Sequence, residues 1–130
     1  YDRVLVDAPC TGLGALRRHP ESRYRARNET IPDITDLQAR LLDRALEVCR
    51  PGGLVIYATC SPHPAETTFL VERVLKQRGD GQLKELTPVC NQLIDAEAWP
   101  GGLGCADKYL QLWPHVHASD AMFAVVISKN

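Results

Sequence analysis

The sequence predicts an α/β fold with parallel strands, and three features carry that expectation. Val4-Leu5-Val6 and Leu54-Val55-Ile56-Tyr57-Ala58 are aliphatic runs without polar alternation. That is the pattern of strands buried on both faces of a parallel sheet. Between them, apolar residues fall at 37, 41, 42, 45, 46 and 48, the spacing of an amphipathic helix. Strand, helix and strand joined by short links make a crossover unit, so the two strands run parallel.

Each element has its own signals. Asp7-Ala8-Pro9 ends the first strand, and Gly12 and Gly14 loosen the turn after it. Residues 15–30 are polar and basic, a loop with a short helical piece. Pro32, Asp33 and Asp36 mark a helix start. Gln38, Arg40, Asp43, Arg44 and Glu47 fall mostly on that helix's outer side, and Arg50-Pro51-Gly52-Gly53 ends it. After the second strand, Pro62 and Pro64 shape a loop. Ala65 to Arg78 reads as a helix with Phe69, Leu70, Val74 and Leu75 inward, closed by Gly79-Asp80-Gly81. Residues 82–86 form a weak edge strand. Residues 87–108, rich in Gly and Pro around Trp99, read as a long loop with a helical turn over 91–97. A short strand over 110–114 and a last strand over 122–128 complete the chain. No repeat, low-complexity segment or domain boundary interrupts it.

Composition bounds the function. A chain of 130 residues, 45% hydrophobic and 24% charged, suits one globular domain with a core. No apolar run approaches the ~18 residues of a membrane helix. The opening Tyr1-Asp2-Arg3 is no signal peptide, so the expected compartment is cytoplasmic. With no initiator Met and a start on the threshold of a strand, the chain reads as part of a longer one. A net charge of -1 excludes a uniformly basic nucleic-acid binder. Five arginines between Arg17 and Arg27, against the single acid Glu21, still make a local patch able to meet phosphate. The five cysteines, Cys10, Cys49, Cys60, Cys90 and Cys105, contain no CxxC pair. They read as reduced thiols. No metal site is expected, because the histidines and cysteines lack zinc-ligand spacing.

The chemistry gathers at two strand ends. In open α/β sheets ligands bind beyond the carboxyl ends of the strands. Asp7 and Cys10 follow the first strand; Thr59, Cys60 and Ser61 follow the second. Neighbouring strands lie ~4.8 Å apart, so both thiols and Asp7 should converge on one cleft. The residue types alone leave open a thiolate nucleophile with a helper, disulfide chemistry, or small apolar packing residues.

Three segments name a family. DAPCTGLG (7–14), RPGGLVIYATCSP (50–62) and the stretch from Leu112-Trp113-Pro114-His115 to Asp120-Ala121-Met122-Phe123 resemble motifs IV, VI and VIII of the RNA cytosine-C5 methyltransferases. The nearest branch is the bacterial RsmB/Sun (Fmu) and NOL1/NOP2/Sun group that modifies small-subunit ribosomal RNA. Arg17-Arg18-His19-Pro20-Glu21 resembles the family's RRxPD segment, and Leu37-Gln38 with Leu41-Leu42 and Ala45 resembles its LQ…LL…A helix. The pairing of DAPC with TCS across one helix is the specific part.

The resemblance implies a Rossmann-like methyltransferase fold using S-adenosylmethionine, with a neighbouring RNA cytosine as target. It implies that Cys60 is the nucleophile, that Cys10 assists release of the methylated base, and that Asp7 lies where cofactor and base meet. Relatives acting on DNA use the Pro-Cys thiol as nucleophile, so the two cysteines are open to an exchange of roles. Arg17, Arg18, Arg23, Arg25 and Arg27 would grip RNA phosphates, and Tyr24 would either stack on a base or lie partly buried. The target base would have to leave its stack. Two segments depart from the pattern: PEENE becomes Pro64-Ala65-Glu66-Thr67-Thr68, read as a variant helix cap, and DGFF becomes Asp120-Ala121-Met122-Phe123. No GxG loop follows a strand. The resemblance therefore implies residues 1–130 as the C-terminal half of one catalytic domain. That half has about four strands, mostly parallel with an antiparallel last strand, and helices on both faces. The N-terminal, cofactor-binding half would lie outside it. An open first strand would then favour self-association. The alternatives are a non-catalytic RNA-binding remnant, which retention of both cysteines opposes; a thiol redox module, which the missing CxxC opposes; and tRNA as substrate.

Overall fold

A computed structural model describes residues 1–25, 30–93 and 104–130. Six strands among these residues form one sheet: β1 (Arg3–Asp7), β2 (Leu54–Thr59), β3 (Gly81–Leu83), β4 (Cys105–Ala106), β5 (Tyr109–Gln111) and β6 (Phe123–Lys129). The order is β1-β2-β6-β5-β4, with β3 also on β6. β1 and β2 pair in parallel, Asp7 opposite Ala58, as the crossover required. β6 is antiparallel to β2, Thr59 opposite Phe123, as expected of the last strand. The helices are α1 (Ser22–Arg25), α2 (Ile31–Val48), α3 (Thr68–Arg78), α4 (Thr87–Leu93) and α5 (Pro114–His117). None is long and apolar enough to cross a membrane.

The core lies between the two long helices and one face of the sheet. α2 contributes Leu42, Ala45 and Leu46; α3 contributes Leu70, Val71 and Val74. They meet Val55 and Tyr57 of β2 and Phe123, Val125 and Ile127 of β6. Strand alternation selects these residues, since every second side chain faces the helices. Burying each of the large ones contributes roughly 1.5–3 kcal/mol. Phe123 stacks on Tyr109 and meets Tyr57 edge-on, a pairing geometry that ring quadrupoles favour.

Several elements depart from expectation. In α2 the buried stripe is Thr35, Gln38, Leu42, Ala45 and Leu46, while Leu41 is exposed. Gln38, assigned to the outer side, is wholly buried. In α3, Val71 is buried and Phe69, expected inward, is exposed. Leu5 is 67% exposed, so β1 is not covered on both faces. Ile56, Ala58, Ala124 and Val126 share Leu5's face by register and are only half-buried. No long helix among the described residues covers that face. The loop expected over 87–108 holds α4 and β4, and most of the helical turn expected over 91–97 lies outside the described residues, as does Trp99. β5 stops at Gln111, short of the strand expected over 110–114, because Pro114 opens α5, which carries His115 and His117. Cys90 and Cys105 are joined in a disulfide, against the expectation of five reduced thiols. The fold sets α4 beside β4, a proximity that a spacing of 15 residues does not announce.

Candidate active site

The two parallel strands deliver their cysteines to one point. Beyond β1, Ala8 N still donates to Ala58 O at 2.9 Å, so the chain stays in register until Pro9. The turn then carries Cys10 to Cys60, and their sulfurs lie 3.3 Å apart. Both thiols are half-buried and free of disulfides. Burial first, and hydrogen bonding with the Cys60 thiol second, push the Cys10 thiol up to about 12. Cys10 therefore keeps its proton at neutral pH.

Gly14 locks the turn in place. Its N–H donates to Cys60 O at 2.9 Å, and its carbonyl accepts from Ala121 N at 2.8 Å. A Cβ on Gly14 would sit 2.1 Å from Ala121 O and 2.6 Å from Cys60 O. Only glycine lets three backbone segments, from DAPCTGLG, YATCSP and the Asp120–Phe123 stretch, come this close.

A carboxylate lies behind the thiols. Glu66 sits in a 3-10 turn, Pro64–Glu66, and is wholly buried. It accepts from Thr11 N at 2.8 Å and Thr11 Oγ1 at 2.7 Å, from Ser61 Oγ at 2.5 Å and from Gln38 Nε2 at 3.1 Å. Gln38 Nε2 also donates to Pro9 O at 2.8 Å. The Tyr57 hydroxyl donates to Glu66 O at 2.9 Å; burial, with the Glu66 charge adding to it, holds that phenol well above its ordinary value. A buried carboxylate without a cation is tolerated only where donors fill its lone pairs, and here four do. Sequence reading missed this hub, taking Glu66 for a helix cap and Gln38 for a surface residue. The available signal was Gln38 itself, four residues before Leu42 on the apolar stripe.

The other expected site residues stand further apart. Asp7 is exposed. It lines a groove of about 360 Å³ between β1 and α2, with Val4, Leu41 and Arg44 among its walls. Cys10 instead lines a separate recess of about 500 Å³ with Thr11, Ser22, Asp33 and Leu37. The structure thus brings the two thiols together, while Asp7 lines a different recess from Cys10 and follows Leu5 onto the open face of the strand. Arg17 and Arg18 both bind Asp120, at 3.2 and 2.5 Å. They hold its carboxyl below the usual range. Asp120 holds the Arg18 guanidinium above its ordinary value. Arg23 lies 4.8 Å over the exposed Tyr24 ring and donates to its hydroxyl at 2.6 Å. The Arg25 side chain and Arg27 lie outside the described residues. No group of three metal-ligating side chains occurs among the described residues.

Known proteins are similar to this chain in sequence and in fold. The family model described as 16S rRNA methyltransferase RsmB/F matches residues 1–128. A putative methyltransferase of Mycobacterium tuberculosis is 46% identical over 129 residues, 99% of this chain and 26% of that protein. The crystal structure of PH0851 is similar with a TM-score of 0.82 at 30% identity, over 98% of this chain and 26% of that one. NSun6 from Pyrococcus horikoshii, solved with SFG, has a TM-score of 0.73 at 25% identity, over 96% and 29%. The chain thus spans about a quarter of the length of these proteins.

Proposed function

This chain belongs to the 16S rRNA methyltransferase RsmB/F family, and from that premise we propose that it carries the catalytic thiols of an RNA methyltransferase acting on carbon 5 of cytosine in small-subunit ribosomal RNA. The observation that carries the reading is the pair of sulfurs, Cys10 and Cys60, 3.3 Å apart at the carboxyl ends of two parallel strands.

The chemistry needs a thiolate nucleophile and a second thiol beside it. Carbon 5 of cytosine is a weak nucleophile. The Cys60 thiolate adds to carbon 6, forming an S–C bond, and the displaced electron pair makes carbon 5 enamine-like. S-adenosylmethionine, when bound, would supply an electrophilic methyl group to that carbon and leave as the thioether S-adenosylhomocysteine. Loss of the carbon-5 proton to water then returns the electron pair, breaks the S–C bond and regenerates the Cys60 thiolate. Cys10, kept protonated by burial and by its neighbour, is a poor attacker, since the thiolate is the reactive form. It shares a hydrogen bond with the Cys60 sulfur and serves the release step.

The residues present fit a part of the cofactor site. Asp7 offers an exposed carboxylate at the end of β1, suited to a donor group of S-adenosylmethionine, of which SFG is an analogue. The contacts to its ribose and adenine belong to further chain. We place residues 1–130 as the C-terminal part of one catalytic domain. The open edge of β1, the exposed Leu5 and the quarter-length coverage of the relatives support that placement. Arg17, Arg18 and Arg23 would meet RNA phosphates beside the thiols. The test is product analysis: the intact protein, given methyl-labelled S-adenosylmethionine and unmodified small-subunit RNA, should yield labelled 5-methylcytidine. Label confined to ribose or to another base would sink the reading.

A further inference from the structure

We propose that Glu66 is a positioning residue that sets the separation of the two thiols by binding the residue that follows each of them. Thr11 follows Cys10, and Ser61 follows Cys60. One Glu66 oxygen takes the Thr11 N–H at 2.8 Å; the other takes the Thr11 hydroxyl at 2.7 Å and the Ser61 hydroxyl at 2.5 Å. Gln38 adds a tether from α2, reaching Glu66 Oε1 at 3.1 Å and Pro9 O at 2.8 Å. A single carboxylate therefore grips both cysteine turns and the helix between them.

A helix cap would look different. A cap binds backbone N–H groups of the helix it precedes. The donors on the Glu66 carboxylate come from the turn after β1, from α2 and from the turn after β2, with none from α3. Its depth suits a positioning role, because a wholly buried carboxylate with filled lone pairs cannot swing without leaving donors unpaired. The Ser61 hydroxyl also accepts from His63 N at 3.1 Å, which fixes its rotor toward Glu66. The catalytic meaning of this clamp rests on the roles proposed above for Cys60 and Cys10; the clamp itself does not.

The test uses the thiols without RNA or cofactor. In a glutathione buffer the intact protein exchanges with oxidised glutathione: Cys10 and Cys60 lose two electrons and two protons to form a disulfide, and two reduced glutathiones are released. Non-reducing peptide mass spectrometry reads the Cys10–Cys60 fraction, and circular dichroism confirms folding. Pre-positioned thiols have a high effective concentration. Glu66→Gln keeps an acceptor oxygen and the side-chain shape, and the two hydroxyls can turn to accept from its amide, so its pairing constant should stay within about threefold of wild type. Glu66→Ala should lower it at least tenfold. Should Glu66→Ala not fold, the folded double variant Thr11→Val, Ser61→Ala decides with the same expectation. Folded variants whose thiols pair as readily as wild type overturn the proposal. A normal loss of pairing with no 5-methylcytidine from the wild-type protein would instead leave the clamp standing and refute the proposed function.

Discussion

Gly14→Ala is expected to loosen the site and destabilise the fold by a calculable amount. The added Cβ would lie 2.1 Å from Ala121 O, where real Cβ atoms essentially never approach within 3.0 Å. The 13–15 turn must therefore retreat by about 1 Å, and the obstacles are backbone carbonyls that cannot rotate aside. Such a retreat breaks the 2.9 Å bond from Gly14 N to Cys60 O and the 2.8 Å bond from Ala121 N to Gly14 O. Two buried backbone bonds are worth about 1 kcal/mol each, and overpacking adds about 1–3 kcal/mol. The total, about 3–5 kcal/mol, is a large share of the roughly 5–15 kcal/mol of a whole domain. In urea melts followed by circular dichroism, with a slope of about 1.5 kcal/mol per molar, the midpoint should fall by about 2 M or more. Gly79→Ala is the control. Gly79 is left-handed at φ 74° with nothing within 4 Å of a Cβ, so it should cost only about 1 kcal/mol. A Gly14→Ala midpoint within about 0.5 M of wild type would refute the close approach of the three segments.

Other outcomes follow from the same contacts. The Cys10 thiol titrates at about 12 in the folded chain, against about 8.5 in an unfolded one. Its contribution to stability is thus complete below pH about 8.5 and is lost as pH climbs toward 12; Cys10→Ser should flatten the decline of the urea midpoint above pH 9, and an unchanged decline would count against the shift. Tyr57→Phe removes the 2.9 Å bond to Glu66 O and leaves that buried carbonyl unpaired, a loss of about 1–3 kcal/mol readable in the same melts. Reducing the Cys90–Cys105 bond, which closes a separation of 15 residues, should lower stability by about 3 kcal/mol; an intact mass unchanged by reductant would show that the bond is absent in solution. In the intact protein, Arg18→Gln should reduce the slope of log affinity for single-stranded RNA against log salt by about 0.7. An unaltered slope would remove Arg18 from the RNA contacts.

The sequence displayed β1, β2 and their parallel direction because aliphatic runs and a crossover helix leave few topologies open. Cys10 and Cys60 were legible for the same reason: parallel neighbours must bring their carboxyl ends together. Gln38 and Glu66 were not. Their partners lie 28, 55 and 5 residues apart along the chain, and a polar residue on an apolar stripe looks like a surface residue until the fold supplies its donors. The phase of α2 shows this directly: Leu37 and Leu41 drew the expected stripe outward, while the buried one runs through Thr35, Gln38 and Leu42. The Arg17–Asp120 and Arg18–Asp120 pairs span about a hundred residues, beyond any local pattern. Asp7 follows the alternation of Leu5 rather than of Val6, and so ends β1 on its open face.

The most direct test of the roles of the two thiols uses RNA carrying 5-fluorocytosine, whose carbon-5 fluorine cannot leave as a proton does. Incubated with the intact protein and S-adenosylmethionine, it should trap a covalent protein–RNA adduct, and peptide mapping should place the bond on Cys60. Cys60→Ala should abolish the adduct, and Cys10→Ala should retain it. An adduct mapped to Cys10, or one that survives Cys60→Ala and vanishes with Cys10→Ala, would contradict the account.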